Sequence, residues 1–300
     1  AATANAALYL GAVPVFADSN TDTGNMSVGS ARKKITKRTK AIVPVDYGGR
    51  PSDLRGFRAL AKKHGLVFIE DAAQALGASY RRKSVGTQAD MTVFSFHPVK
   101  SITTGEGGVV VTGSEKYAHI LRLFRSHGIS KDIGTFVRKD RGAWYQEMQV
   151  LGFNYRMPEI SAALGESQLK RLDSFITRRR IAALRYGKLL KNIPGLTLPA
   201  AESPEVQSAW HLYPVRMARG IANRRDEVFA KLHKAGIGVQ VHHVPVHLHH
   251  FYEKLNYKKG LCPVAEAFAA SEISLPLFPG ITKKQQRYVE RSLRKILARI

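Results

Sequence analysis

An amine and a carboxylate, each placed just past an apolar run, are the residues of this sequence best suited to chemistry. Lys100 follows the run Met91 to Phe96 and leads into Thr103-Thr104-Gly105-Glu106-Gly107-Gly108, a neighbourhood of hydroxyls and small residues that an ordinary surface lysine does not need. Asp71 closes the run Leu66 to Ile69, and Gln74 follows three residues later in a turn of small residues. On its own, a strand-end aspartate is more often a helix N-cap than a catalytic group. Beside an amine at a neighbouring strand end it gains another use, because one buried anion and one lysine so placed are what pyridoxal phosphate requires. Ligands of open α/β sheets gather at those strand ends.

The elements that must position these groups follow from the apolar patterning. In the first half, Ala1 to Leu10 reads as helix, and Val13–Ala17, Lys40–Val45, Leu66–Ile69, Met91–Phe96 and Gly108–Thr112 read as strands. Between two of them, Leu54, Phe57, Leu60 and Ala61 recur at helical spacing, with Gly65 as the stop. Continuous apolar strands separated by helices predict an α/β unit whose mostly parallel sheet carries helices on both faces. The second half differs. A long helical pattern from Pro158 to Leu190 ends at Asn192-Ile193-Pro194-Gly195. Beyond it lie strand candidates at Trp210–Met217 and Gly238–Val244, a helix at Asp226–Ala235 and a terminal helix from Lys283. That order predicts a smaller C-terminal α+β domain, and the boundaries fall at 1–165, a connecting helix 166–194, and 195–300.

Composition narrows the partners. The chain has 47 Lys+Arg against 23 Asp+Glu, a net charge of +24 that would by itself suggest an anionic partner. Every successive block of fifty residues is positive, so no basic tail stands apart, and runs such as Arg178-Arg179-Arg180 and Arg81-Arg82-Lys83 read as solvated faces. Aromatic residues do not interleave with them as a nucleic-acid platform would need, and the expectation is no nucleic acid and no membrane. The single cysteine, Cys262, allows no intrachain disulfide and leaves no pair for a zinc site. With no long apolar span and no positively charged leader at the start, the chain reads as cytoplasmic. Five histidines, His242, His243, His247, His249 and His250, crowd into nine positions. Neighbouring His242 and His243 would face opposite sides of a strand and no carboxylate or cysteine spacing accompanies them, so no metal site is expected.

The segments IEDAAQALGA (Ile69 to Ala78), FSFHPVKSITTGEGGVV (Phe94 to Val110), LRLFRSHGI (Leu121 to Ile129) and GFNYRMPEISAALGESQLKRLD (Gly152 to Asp173) resemble the DegT/DnrJ/StrS family of pyridoxal-phosphate sugar aminotransferases. The resemblance runs along essentially the whole chain. It implies the aspartate-aminotransferase-like fold of type I and a set of roles. Lys100 matches the lysine that holds the cofactor and then moves the proton. Asp71 matches the carboxylate on the pyridine nitrogen, Gln74 the residue beside the ring and 3-hydroxyl, and Ser95 a phosphate ligand. Asn154 matches the asparagine that reaches the phosphate in the other subunit, which implies a homodimer with shared active sites. His242 matches a residue of the small domain that approaches the substrate.

Within the family, VDYGG with Asp46 where many members have histidine, VQVHHVPV (Val239 to Val246) and SEISLPLFPG (Ser271 to Gly280) resemble the branch that moves an amino group from glutamate to C4 of a UDP-linked 4-keto-6-deoxy sugar. Relatives with histidine in place of the lysine perform a dehydration, and Lys100 argues against that branch. Two rival readings remain. One is a C3 or GDP- or dTDP-sugar aminotransferase of the same family, and the other a non-catalytic basic regulatory or nucleic-acid-binding protein on the same fold. The family pattern does not begin at Ala1. Its Ser-Gly-Thr-Ala-like turn, whose helix-terminal amides hold the phosphate, has no counterpart here, so the expectation is a fragment of a longer aminotransferase with a weakened hold on the cofactor.

Overall fold

The computed structural model describes residues 1–300. Its site-bearing sheet has four strands in the order β1-β2-β5-β6, comprising β1 (Ala41–Ile42), β2 (Val67–Asp71), β5 (Met91–Ser95) and β6 (Gly108–Val111). The first three run parallel, and β6 returns antiparallel beside β5 with Ser95 opposite Gly108. A further parallel bridge between Val45 and Asp71 carries the β1 side up to the end of β2.

Alternation along these strands sorts their side chains. Phe68, Glu70, Thr92 and Phe94 point to a buried face, while Ile69, Asp71, Val93 and Ser95 share the half-buried opposite face. Helix α3 (Leu54–His64) covers the buried face, capped by Asp53 on the Gly56 amide and stopped by Gly65 in the left-handed region. On the other face helix α1 (Ala2–Tyr9) lies over the end of β2, where the Thr3 hydroxyl donates to Asp71 Oδ2 at 2.5 Å. Helix α2 (Val28–Lys34) packs on α3. A small antiparallel sheet orders β10 (Val206–Gln207), β3 (Ser79–Tyr80) and β4 (Lys83–Ser84), and β7 (Ile129–Ser130) pairs with β8 (Glu147–Met148).

The C-terminal half holds the largest apolar core. Strand β11 (Tyr213–Met217) lies between β9 (Leu196–Thr197) and β12 (Glu272–Leu275), all antiparallel. Against this sheet pack α6 (Leu172–Leu190), α7 (Arg225–Lys234) and α10 (Lys283–Leu297), burying Tyr186, Val215, Leu232, Ile273 and Leu293 completely. Helix α10 opens with a capping box, Thr282 and Gln285 satisfying each other's backbone amides. Two short helices, α8 (His250–Lys254) and α9 (Pro263–Ser271), lie between.

The long helical pattern is divided. Helix α5 (Glu159–Leu169) ends at Lys170 and α6 begins at Leu172; α5 buries none of its residues, and neither does α1. Helix α4 (Glu115–Arg125) buries Leu123 alone. Two strand expectations fail. Val13–Ala17 is irregular, and Gly238–Val244 contributes a single bridge, Gln240 to Ser274. An apolar run forms a strand only when a neighbour offers its backbone, and neither run has one along its length.

Candidate active site

The loop from Phe96 to Gly107 joins the antiparallel pair β5 and β6 and carries Lys100. Its bonds are local. The Phe96 amide donates to the Gly107 carbonyl at 2.8 Å, the Thr104 amide to the Phe96 carbonyl at 3.0 Å, and the Lys100 amide to the His97 carbonyl at 2.9 Å. The Thr103 hydroxyl donates to the Phe96 carbonyl and the Thr104 hydroxyl to the Glu106 carbonyl. Gly107 has φ +145°, and a Cβ there would lie 2.6 Å from Thr104 Oγ1. The Thr-Thr-Gly-Glu-Gly sequence is thus the lock of a tight loop, with Ser101, Ile102 and Thr104 buried beneath Lys100.

Burial lowers the proton affinity of the half-buried Lys100 amine, and the charge of Asp71 works in the opposite direction. Asp71 sits at the carboxyl end of β2, with Oδ1 accepting from the Ala73 amide at 3.1 Å and Oδ2 from Thr3. Gln74 Oε1 accepts from the Gly48 amide at 2.7 Å, and Gly49 comes close behind it, a Cβ at Gly49 being 2.8 Å from the Gln74 carbonyl oxygen. Ser95 lies on the same sheet face as Asp71 and accepts weakly from the His97 amide at 3.4 Å.

From the C-terminal half comes His242. Its Nδ1 is 2.8 Å from Ser274 Oγ, its amide donates to Glu272 Oε2 at 2.8 Å, and its carbonyl accepts from the Tyr47 hydroxyl at 2.7 Å. Burial first, then the charges of His243 and Lys100, hold its pKa down to about 4, so the ring is neutral near pH 7. Lys100 is therefore within electrostatic reach of both Asp71 and His242, with Ser95 and Gln74 on the adjoining strand end and turn. Asn154 is not part of this group. It is exposed on a segment bridged to Ser126, beside exposed Leu151, Phe153 and Tyr155.

Four groups near this site carry no site role in the sequence signals above, although Asp46 and Arg179 stand in segments already named. His211 is buried, with Nδ1 unpartnered, and burial followed by the charge of Lys100 drives its pKa to about 3. Arg179, read as part of a solvated run, is 6% exposed and reaches the carbonyls of Trp210, His211 and Leu277, with burial bringing its pKa down to about 10. Its place on the inner stripe of α6 with Ile176, Ala183 and Tyr186 was legible from helical spacing.

Asp46 and Glu70 are the other two, both fully buried under the strand end that carries Asp71. The Ser52 amide donates to Asp46 Oδ1 and the Thr92 hydroxyl to Glu70 Oε2, each at 2.8 Å. The remaining oxygens, Asp46 Oδ2 and Glu70 Oε1, meet no donor from outside the pair, and no cation approaches it. Two buried carboxyls in contact cannot both ionise, so one proton is held between them. Burial and the charge of Glu70 raise Asp46 well above the usual carboxylate range.

The histidines crowded at 242–250 have separate partners: His247 bonds Glu266 at 2.8 Å, and His242 bonds Ser274. A small cavity behind Tyr47, lined by Arg50, Trp210, Arg216 and Phe268, includes neither Lys100 nor Asp71. No helix is long and apolar enough to cross a membrane.

The donor set suits pyridoxal phosphate. It offers an amine whose protonation is disfavoured by burial, a carboxylate at a strand end for a protonated ring nitrogen, a serine hydroxyl on the same face, and no acidic group beside Lys100 other than Asp71. In comparison with known proteins, the DegT/DnrJ/EryC1/StrS aminotransferase family matches residues 1–294. The UDP-4-amino-4,6-dideoxy-N-acetyl-beta-L-altrosamine transaminase of Helicobacter pylori is 38% identical over 294 residues, covering 98% of this chain and 75% of the relative. The structure of Helicobacter pylori PseC, an aminotransferase of pseudaminic acid biosynthesis, superposes with a TM-score of 0.91 at 36% identity, covering 100% of this chain and 77% of that one. Spr1654 of Streptococcus pneumoniae, solved in a PMP form, superposes with a TM-score of 0.91 at 28% identity, covering 99% and 79%. A family pattern spanning nearly every residue, joined to a lysine and an aspartate at neighbouring strand ends, places this chain in the DegT/DnrJ/EryC1/StrS aminotransferase family.

Proposed function

We propose that this sugar aminotransferase moves an amino group from glutamate to C4 of a UDP-linked 4-keto-6-deoxy sugar, for cell-surface glycan biosynthesis. The observation that carries the reading is Lys100, held by a locked loop beside Asp71 where the parallel strands end. The Helicobacter pylori relative at 38% identity supports the choice of sugar. The donor carbon passes from amine to ketone and the sugar carbon from ketone to amine, so the two half-reactions balance without an outside oxidant or reductant.

When bound, pyridoxal phosphate supplies the electron sink and carries the amino group from donor to acceptor. The chain's own residues do the rest. The Lys100 amine, whose proton affinity burial lowers, would take the proton from the donor carbon and return one to the sugar carbon, a service worth about 10² to 10⁴ in rate. Asp71 presents a carboxylate that would keep the ring nitrogen protonated. Gln74, pinned by the Gly48 amide, would stand beside the ring, and Ser95 would offer its hydroxyl to the phosphate. His242 approaches the sugar as a neutral imidazole. Asn154, on an exposed apolar segment, serves the partner subunit's site in a homodimer.

The test is a panel of UDP-, GDP- and dTDP-linked 3-keto and 4-keto sugars with glutamate as donor, followed by mass spectrometry of the amino-sugar product. Selective amination of the UDP-4-keto sugar is expected. Preference for a 3-keto or a dTDP-linked sugar would overturn the substrate assignment while leaving the family intact.

A further inference from the structure

Behind His242 runs a continuous hydrogen-bonded chain. Ser274 Oγ donates to Glu272 Oε1 at 2.5 Å, and the same oxygen lies 2.8 Å from His242 Nδ1. Glu272 is fully buried, Ser274 is 5% exposed, and the second oxygen of Glu272 accepts the His242 amide. Nε2, the other ring nitrogen of the half-buried His242, has no partner in the protein.

A serine hydroxyl has one hydrogen to give. When Glu272 is ionised that hydrogen goes to the carboxylate, so Nδ1 must carry a proton and donate to Ser274, leaving Nε2 a bare acceptor. When Glu272 is protonated the chain reverses. The acid donates to Ser274, Ser274 donates to Nδ1, and Nε2 carries the hydrogen.

We propose that Glu272 and Ser274 are positioning residues that relay protonation of a buried carboxyl to Nε2 of His242, so that this nitrogen gains or loses a proton at the substrate cleft while the ring stays neutral. The step balances: one proton leaves Nε2, Nδ1 takes the hydrogen of Ser274, and Ser274 takes that of Glu272. The relay stands on the hydrogen bonds alone, and only its service to a sugar substrate rests on the aminotransferase reading.

The charged groups around the chain are few. Arg225 from α7 and the cross-strand Arg216 of β11 face Glu272, as does the Tyr47 phenol, while His243, Lys100 and the buried His211 face His242. Burial dominates and lifts Glu272 to about 7, against the pull of Ser274, the His242 amide and Arg225. The relay therefore turns over near neutral pH, well above the value of about 4 at which the His242 ring would itself become a cation.

The test uses the cofactor-free protein with isotope-labelled histidine. The tautomer of His242 is read by NMR from about pH 5 to about pH 9, with the signal assigned by its loss in His242→Gln. The wild type is expected to pass from the Nε2–H to the Nδ1–H form near pH 7. In Glu272→Gln the His242 amide holds the Gln oxygen and turns its amide nitrogen toward Ser274, so the Nε2–H form should persist across the range. Ser274→Ala should uncouple the ring from Glu272 and abolish the transition. A wild type that keeps one tautomer throughout, or a Glu272→Gln protein that switches like wild type, overturns the relay. Neither outcome touches the Lys100 assignment.

Discussion

The four-stranded sheet and the C-terminal sheet of this protein each bury carboxyl groups, and they differ in where the proton can go. Under the first sheet, Asp46 and Glu70 hold one proton between them, walled in by Ser52, Thr92 and the Gly86 amide, with no titratable group leading outward. In the C-terminal sheet, Glu272 is as deeply buried, but Ser274 connects it to the half-buried ring of His242. The cost of burial is similar and the outcome differs, because a hydroxyl that both donates and accepts turns a trapped proton into a movable one. The same division holds for packing. The first sheet spends its strand ends on Asp71 and Lys100 over modest cores of nine and eight residues, whereas the C-terminal sheet is backed by nineteen.

If the division is real, substitutions in the two sheets separate activity from stability. The largest effect is expected for Lys100→Ala, which should lower amine transfer by at least about 10²-fold in single-turnover assays while leaving thermal unfolding in place. Comparable turnover in that variant would break the comparison. Leu232→Ala in the C-terminal core should do the reverse, costing about 2–5 kcal/mol in urea unfolding with cofactor absorbance unchanged in the folded protein.

A third prediction concerns pH. Asp46 is raised in the fold, so its contribution is fully present below the unfolded value of 3.8 and is lost as pH rises through the folded one. Asp46→Asn keeps a donor to Glu70 and removes that titration. Its unfolding free energy should fall less with rising pH than that of the wild type, by about 1.4 kcal/mol for each unit of pKa difference removed. Parallel pH profiles for the two proteins would show that no proton is trapped there. The smallest effect is Thr282→Ala, which removes half of the α10 capping box and should cost about 1 kcal/mol in the same unfolding assay without altering turnover.

Much of the site was legible because its signals are local. An apolar strand followed by Lys100 and a Thr-Gly-rich loop needs no distant partner to be recognised, and Gly65 stops α3 where helical spacing placed it. What escaped depends on contacts far along the chain. His211 matters through Lys100, and Glu272 through His242 thirty residues earlier. Glu70 was within reach, since strand alternation puts it on the face of Phe68, opposite to Asp71. Arg179 was hidden by its basic neighbours although its helical position marks it as inward. Val13–Ala17 misled because hydrophobicity alone does not supply a neighbouring strand.

The central claim is that Lys100 is the amine that holds the cofactor opposite Asp71. Incubation with pyridoxal phosphate, reduction with borohydride and peptide mass spectrometry test it directly. A single pyridoxyl group on Lys100, absent from Lys100→Ala, is the expected result. A label on another lysine, or scattered over the surface lysines with Lys100 unmodified, would contradict it.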